Sequence, residues 1–184
     1  MAGDLTGKKI AFLVAPEGIE QAELTEPWQV VKDAGGEPVL VSTDEGEVQA
    51  FNHLDKGDTF PVDATVDAAG PEQYDGLVLP GGVANPDYLR MQPEAVQFAK
   101  GFFEAGKPVA AVCHAAWTLV EAGVLEGRTL TSWPSLQTDI RNAGGHWVDE
   151  EVHVDSSGTS VLITSRNPGD LPAFGKAIVE HFSG

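Results

Sequence analysis

The chain holds a single cysteine in 184 residues, so it cannot form an internal disulfide, and the stapled frameworks of small secreted domains are excluded. Positive charge is equally scarce: 11 Lys and Arg stand against 28 Asp and Glu, a formal net charge of −17. Such an anion is repelled by phosphate backbones and by anionic membrane surfaces, which argues against nucleic acid or a membrane as partner. No run of about 18 apolar residues occurs, so no membrane-spanning helix is expected. The opening MAGDLTGKKIAFLVA lacks the basic segment, long apolar stretch and small-residue cleavage site of a secretory leader, and a cytoplasmic protein is expected. Repeats, low-complexity tracts and linkers are also missing, and the length suits one domain over residues 1–184.

Short apolar runs bounded by Gly or Pro are present instead: KIAFLVA, EPVLVST, GLVLPGG, KPVAAVC and RTLTSW. Stretches of helical length separate most of them, the pattern of crossover units in a mostly parallel sheet covered by helices on both faces, hence an α/β fold. The helical stretches are QAELTEPWQVVKDAGG, PEAVQFAKGFFEAG, HAAWTLVEAG and LPAFGKAIVEHF. The first three end in glycine, where a left-handed cap is expected, and Pro27 must sit in an early turn or kink its helix. WVDEEVHVDSSGTSVLITS alternates around a Ser-Ser-Gly turn and predicts a late antiparallel hairpin. Residues 47–66 read as a second irregular or hairpin excursion.

Open parallel sheets place their sites beyond the carboxyl ends of the strands. Three such ends carry chemistry: APEGIEQAE, PGGVANPDYLR and Cys113 with His114. Cys113 has small residues two positions to either side, Ala111 and Ala115, as a nucleophile elbow requires where backbone crowds a sharp strand-to-helix turn. A thiol facing a helix N-terminus has its thiolate favoured and its pKa lowered. The N–H of His114 and a glycine N–H from Gly81-Gly82 are candidate oxyanion donors. Adjacency alone does not establish a proton relay between Cys113 and the His114 ring. Glu20 and Glu23 share a face if their helix has already begun, and a protonated carboxyl there can donate to a thiolate, although acids in a first turn also serve the helix dipole. His153 and Asp155 have a dyad-like spacing but fall on the hairpin, away from the expected crevice. His53, His146 and His181 have no ligand-like spacing with cysteine or carboxylates, so no metal site is expected.

The blocks GIEQAEL, LVLPGG, NPDYLR, GKPVAAVCHAAWTLVEAGVLEGRTLTSWPS and NAGGHWVDEEV, in this order, resemble the ThiJ/PfpI superfamily, in particular its PfpI-type branch of intracellular protease, deglycase and general stress proteins. The resemblance implies a flavodoxin-like three-layer sandwich, related to class I glutamine amidotransferases, that forms homodimers or higher oligomers. It assigns Cys113 as nucleophile, Glu20 as the acid bonded to its sulfur, and Gly82 and His114 as oxyanion donors. It also pairs His114 with an acid from a neighbouring subunit, matching Asp87. The implied activities are cofactor-free glyoxalase or deglycase chemistry on small aldehydes and glycation adducts, or peptide hydrolysis. Two further readings stay open: a redox sensor working through oxidation of Cys113, and an amidotransferase using His153 and Asp155.

Overall fold

A computed structural model describes residues 3–184. In chain order the elements are β1 (Lys9–Leu13), β2 (Glu17–Glu20), α1 (Gln21–Asp33), β3 (Glu37–Ser42), β4 (Glu47–Asn52), β5 (Asp55–Pro61), β6 (Ala64–Thr65), β7 (Gly76–Leu79) and α2 (Ala84–Leu89). There follow α3 (Pro93–Glu104), β8 (Val109–Val112), α4 (Ala116–Ala122), β9 (Thr129–Leu130), α5 (Gln137–Asn142), β10 (His146–Trp147), β11 (His153–Asp155), β12 (Leu162–Ser165) and α6 (Leu171–Phe182). The central sheet has the order β11-β12-β8-β7-β1-β3-β6, parallel throughout except for β11.

Its inner strands are continuous apolar runs because both faces are covered. Ile10, Phe12, Val78, Ala110, Val112 and Ile163 point to one side, where they pack with Leu24 and Val31 of α1 and Phe174, Ile178 and Phe182 of α6. Ala11, Leu13, Leu77, Leu79, Ala111 and Leu162 point to the other, against Phe98 and Phe102 of α3 and Leu119 of α4. Helices on both faces of a mostly parallel sheet make this a flavodoxin-like α/β sandwich. The expected glycine caps are left-handed, with φ of 86° at Gly35, 70° at Gly106 and 70° at Gly123. Pro27 lies inside α1 and denies the Glu23 carbonyl its helical donor.

The late hairpin is present: β11 pairs antiparallel with β12, which itself lies parallel beside β8. Residues 47–61 form a second hairpin, β4 with β5, and β2 joins it to make a separate three-stranded sheet. One expectation needs correction. RTLTSW does not enter the central sheet; only Thr129 and Leu130 are extended, and they pair with β10 in a two-stranded sheet. The position beside β8 is already taken by β12, and Thr131 N–H is instead capped by the Thr164 hydroxyl at 3.0 Å.

A buried ion pair fastens this outlying piece. Arg128 Nη1 lies 3.8 Å from Asp155 Oδ1 and donates to the Ser160 carbonyl at 2.6 Å, and its guanidinium sits over the Phe103 ring. Burial acts to raise the Asp155 pKa, but donors from Ser157 and Thr129 and the Arg128 charge hold it below the usual carboxylate range. Removing one member strands the other without water. Asp155→Ala is expected to cost about 3 kcal/mol of unfolding free energy. Urea denaturation checks this, and a loss below about 0.5 kcal/mol, the scale of an ordinary surface substitution, would refute the account.

Candidate functional site

The crevice forms where β1, β7 and β8 deliver their chains at the carboxyl end of the sheet. Cys113 follows β8 directly and takes a left-handed backbone, φ 62°, before a single 3₁₀ turn leads into α4. A residue with a Cβ pays for that conformation, and it is held here because both flanks are locked: Val112 in the sheet, and the Cys113 carbonyl by the Trp133 N–H at 3.0 Å. Ala111 and Ala115, the small residues two positions to either side, and Ala116 after them are all buried. The elbow read from the small flanking residues is therefore present.

Gly81 and Gly82, after β7, approach this turn as no other residue could. A Cβ at Gly81 would stand 2.6 Å from the Val112 carbonyl and 2.7 Å from Cys113 Cβ. At Gly82, φ 84°, it would stand 2.3 Å from the Gly18 carbonyl. The close approach sets the Gly82 and His114 N–H groups against the sulfur, where both favour the thiolate. The same donors suit an oxyanion formed on a carbon bonded to that sulfur.

The acid beside the sulfur is Glu23, which corrects the assignment to Glu20. The Glu23 carboxyl is fully buried, accepts the Gly81 N–H at 2.9 Å on Oε1 and lies against the Cys113 thiol. Glu20 ends β2 and stands outside the helix, which starts at Gln21; its carboxylate accepts the His53 N–H at 3.1 and 3.4 Å from the β4–β5 tip. Burial, reinforced by the Glu20 charge, pushes the Glu23 pKa up to about 8, so at neutral pH it is chiefly a proton donor. The thiol behaves differently from the sequence expectation. Burial and the facing Glu23 charge push its pKa up, outweighing the pull of the two N–H groups.

His114 is closer to the chemistry than adjacency suggested. The left-handed turn at Cys113 folds the ring back until Nδ1 lies 3.1 Å from Sγ. The ring is stacked on Trp133 at 5.6 Å and meets Trp117 edge-on at 5.1 Å; Trp117 is itself fixed by Asp139 at 3.0 Å and lies under Arg90. Burial lowers the His114 pKa, so the imidazole is neutral near pH 7 and able to accept the thiol proton.

These groups line a cavity of about 460 Å³, together with Glu17, Gly18, Phe51, His53, Leu54, Val83, Ala84, Trp133 and Pro168. The hairpin tip and Trp133 had no recognisable signal in the sequence; only their tertiary placement brings them to the mouth. Asp87 lies exposed on α2 and does not line this cavity. His153 bonds Glu150 at 2.9 Å and Asp155 pairs with Arg128, and neither lines the cavity that holds Cys113.

Fold and site together define a class, the α/β sandwich proteins that carry a cysteine on a strand-to-helix elbow with a buried acid at its sulfur. The chain belongs to the DJ-1/PfpI family, whose family model matches residues 8–181. It is 41% identical to deglycase PfpI of Pyrococcus furiosus over 172 residues, covering 94% of this chain and 98% of that one. It is also 39% identical to protein/nucleic acid deglycase 2 of Escherichia coli, covering 92% and 94%, and 39% identical to general stress protein 18 of Bacillus subtilis, covering 92% and 95%. Among solved structures, a two-domain protein from Anabaena variabilis with DJ-1/ThiJ/PfpI-like and ferritin-like domains superposes with a TM-score of 0.86 at 35% identity, over 94% of this chain and 47% of that one. DJ-1 of Schizosaccharomyces pombe, at 23% identity, shares the fold with a TM-score of 0.80 over 94% and 90%.

Proposed function

We propose that this protein is a cytoplasmic stress-response enzyme that converts reactive aldehydes and early glycation adducts to hydroxy acids without a cofactor, with Cys113 as nucleophile. The observation that carries the reading is the strained Cys113 elbow with Sγ 3.1 Å from a neutral imidazole. With methylglyoxal, His114 Nδ1 takes the thiol proton and the sulfur bonds the aldehyde carbon, while its oxygen becomes an alkoxide facing the Gly82 and His114 N–H groups. Protonation gives a hemithioacetal. Transfer of the carbon-bound proton to the neighbouring carbonyl carbon, relayed by Glu23 and His114, yields a thioester that water cleaves to lactate, regenerating the thiol. Methylglyoxal and one water thus become lactic acid. For a carbinolamine adduct the sulfur replaces the amine on the same carbon, the C–N bond breaks as the C–S bond forms, the amine leaves with the thiol proton, and the same hemithioacetal follows. Peptide hydrolysis would use the same nucleophile but needs access for an extended chain, which a thiol 7% exposed does not offer.

Asp87 completes the reading as an acid supplied from a second copy of the chain to His114. Desalted protein is expected to form lactate from methylglyoxal and to release free amine from methylglyoxal-treated peptides. Absence of both products would end the proposal. Cys113→Ala and Asp87→Asn, each inactive alone, are expected to recover about a quarter of native turnover when refolded together as mixed dimers, since one site in four is then complete. No recovery would remove the shared site.

A further inference from the structure

The charged side chains that line the Cys113 cavity are Glu17, Glu20 and Glu23, with His53 and His114 beside them; among the described residues no Lys or Arg lines it. Glu20 is held in place, 14% exposed, by the His53 N–H on its two oxygens. Glu17 is exposed at the start of β2. Glu23 Oε2 is buried with no nitrogen or oxygen partner. Among the described residues, the ion-pair partner within 4 Å of these acids is the His53 ring, 3.9 Å from Glu20 and 86% exposed. Aromatic surface accompanies the carboxylates: Trp133, 40% exposed, and Phe51 both line the mouth. Carboxylates beside aromatic faces recognise cations, through Coulomb attraction and the negative face of the ring.

We infer that Glu17 and Glu20, with the Trp133 face, act as a charge filter at the mouth: the cavity takes electrophiles that carry a positive charge, such as carbonyl adducts on ammonium- or guanidinium-bearing groups, ahead of those that carry carboxylate or phosphate. Glu17 and Glu20 are thereby specificity-determining residues. The substrate consequence rests on the proposed enzymatic reading, whereas the filter itself does not. A relative is named for both protein and nucleic acid deglycation; the filter sets this chain toward the protein side of that pair.

The filter is read first at the sole cysteine, without any turnover. Three methanethiosulfonates of similar size, bearing trimethylammonium, no charge, or sulfonate, modify a thiolate by forming a Cys113–S–S bond and expelling methanesulfinate. Mass spectrometry gives the three rates. The cationic reagent is expected to react about tenfold faster than the anionic one in 20 mM salt, with the ratio shrinking in 0.5 M salt. Glu17→Gln with Glu20→Gln is expected to bring the ratio to about twofold or less; glutamine at 20 still accepts the His53 N–H, and Glu17→Gln alone lowers the ratio in part. Glu37→Gln with Glu104→Gln removes equal charge at the opposite end of the sheet and is expected to leave the ratio intact. Equal rates for the three reagents, or an equal fall in the distant pair, would overturn the filter.

The second reading uses turnover of phenylglyoxal and its 4-trimethylammonio and 4-carboxy derivatives to mandelates, where kcat/KM should follow the same charge order. If none is turned over while the thiosulfonate rates keep their order, the filter stands and the enzymatic reading fails. If all are turned over without regard to charge, the enzymatic reading stands and the filter fails.

Discussion

Cys113→Ala is expected to lower methylglyoxal turnover at least about 10³-fold, because no other group in the cavity can form the carbon–sulfur bond. Stability should hardly follow. Alanine keeps a Cβ at φ 62°, so the backbone strain remains, and the thiol it removes is small. Cys113→Gly separates the two properties further: it is equally inactive, yet it relieves a left-handed conformation that costs on the order of 1 kcal/mol for a residue with a Cβ. The glycine variant should therefore melt above the alanine variant. Lactate assays and thermal denaturation on the same preparations decide both points. Retained turnover in Cys113→Ala would remove the thiol from the mechanism, and a glycine variant melting below the alanine variant would show that the elbow stores no strain.

Glu23→Gln is expected to change the pH dependence of stability more than any other single substitution in the site. Burial first, and the Glu20 charge second, lift the Glu23 pKa in the folded protein from 4.5 to about 8. Between those values the folded state holds a proton that the unfolded state has lost, so raising the pH favours unfolding. The native protein should lose about 1.4 kcal/mol of stability per pH unit across this window from Glu23 alone, with the loss ending as the folded carboxyl itself ionises near pH 8. Glutamine cannot ionise, and its amide oxygen can still accept the Gly81 N–H. The variant should thus be the more stable protein at pH 8 and differ little from the native one near pH 4.5. Denaturant titrations at pH 5, 6, 7 and 8 test the slope; parallel curves for the two proteins would mean that Glu23 is not held protonated by the fold.

The sheet and the elbow were legible in the sequence because each is a local pattern with few alternatives. Apolar runs without alternation require cover on both faces, and Ile10, Phe12 and Val78 with Ala11, Leu13 and Leu77 show both covers. Gly35, Gly106 and Gly123 terminate helices by a property of the residue itself. Small residues around Cys113 leave a sharp turn as the economical reading. The Glu20 assignment came with the resemblance, and nothing within GIEQAEL ranks its two glutamates until the start of helix α1 is fixed. The helix begins at Gln21, which leaves Glu20 on a strand that faces the β4–β5 tip. RTLTSW has the composition of a sheet strand, but the place beside β8 is won by β12 through long-range pairing that composition cannot rank.

By itself the sequence determined that the chain forms an α/β sandwich and that a cysteine stands at a strand end, since apolar period, glycine caps and small flanks act over a few residues. Only the tertiary structure decided what surrounds that sulfur. Glu23 rather than Glu20, the His114 ring folded back to 3.1 Å, the net upward push on the thiol pKa and the acidic, aromatic mouth all depend on segments far apart in the chain. Desolvation and charge–charge terms are set by distance in space, and distance in space is what packing these segments together creates.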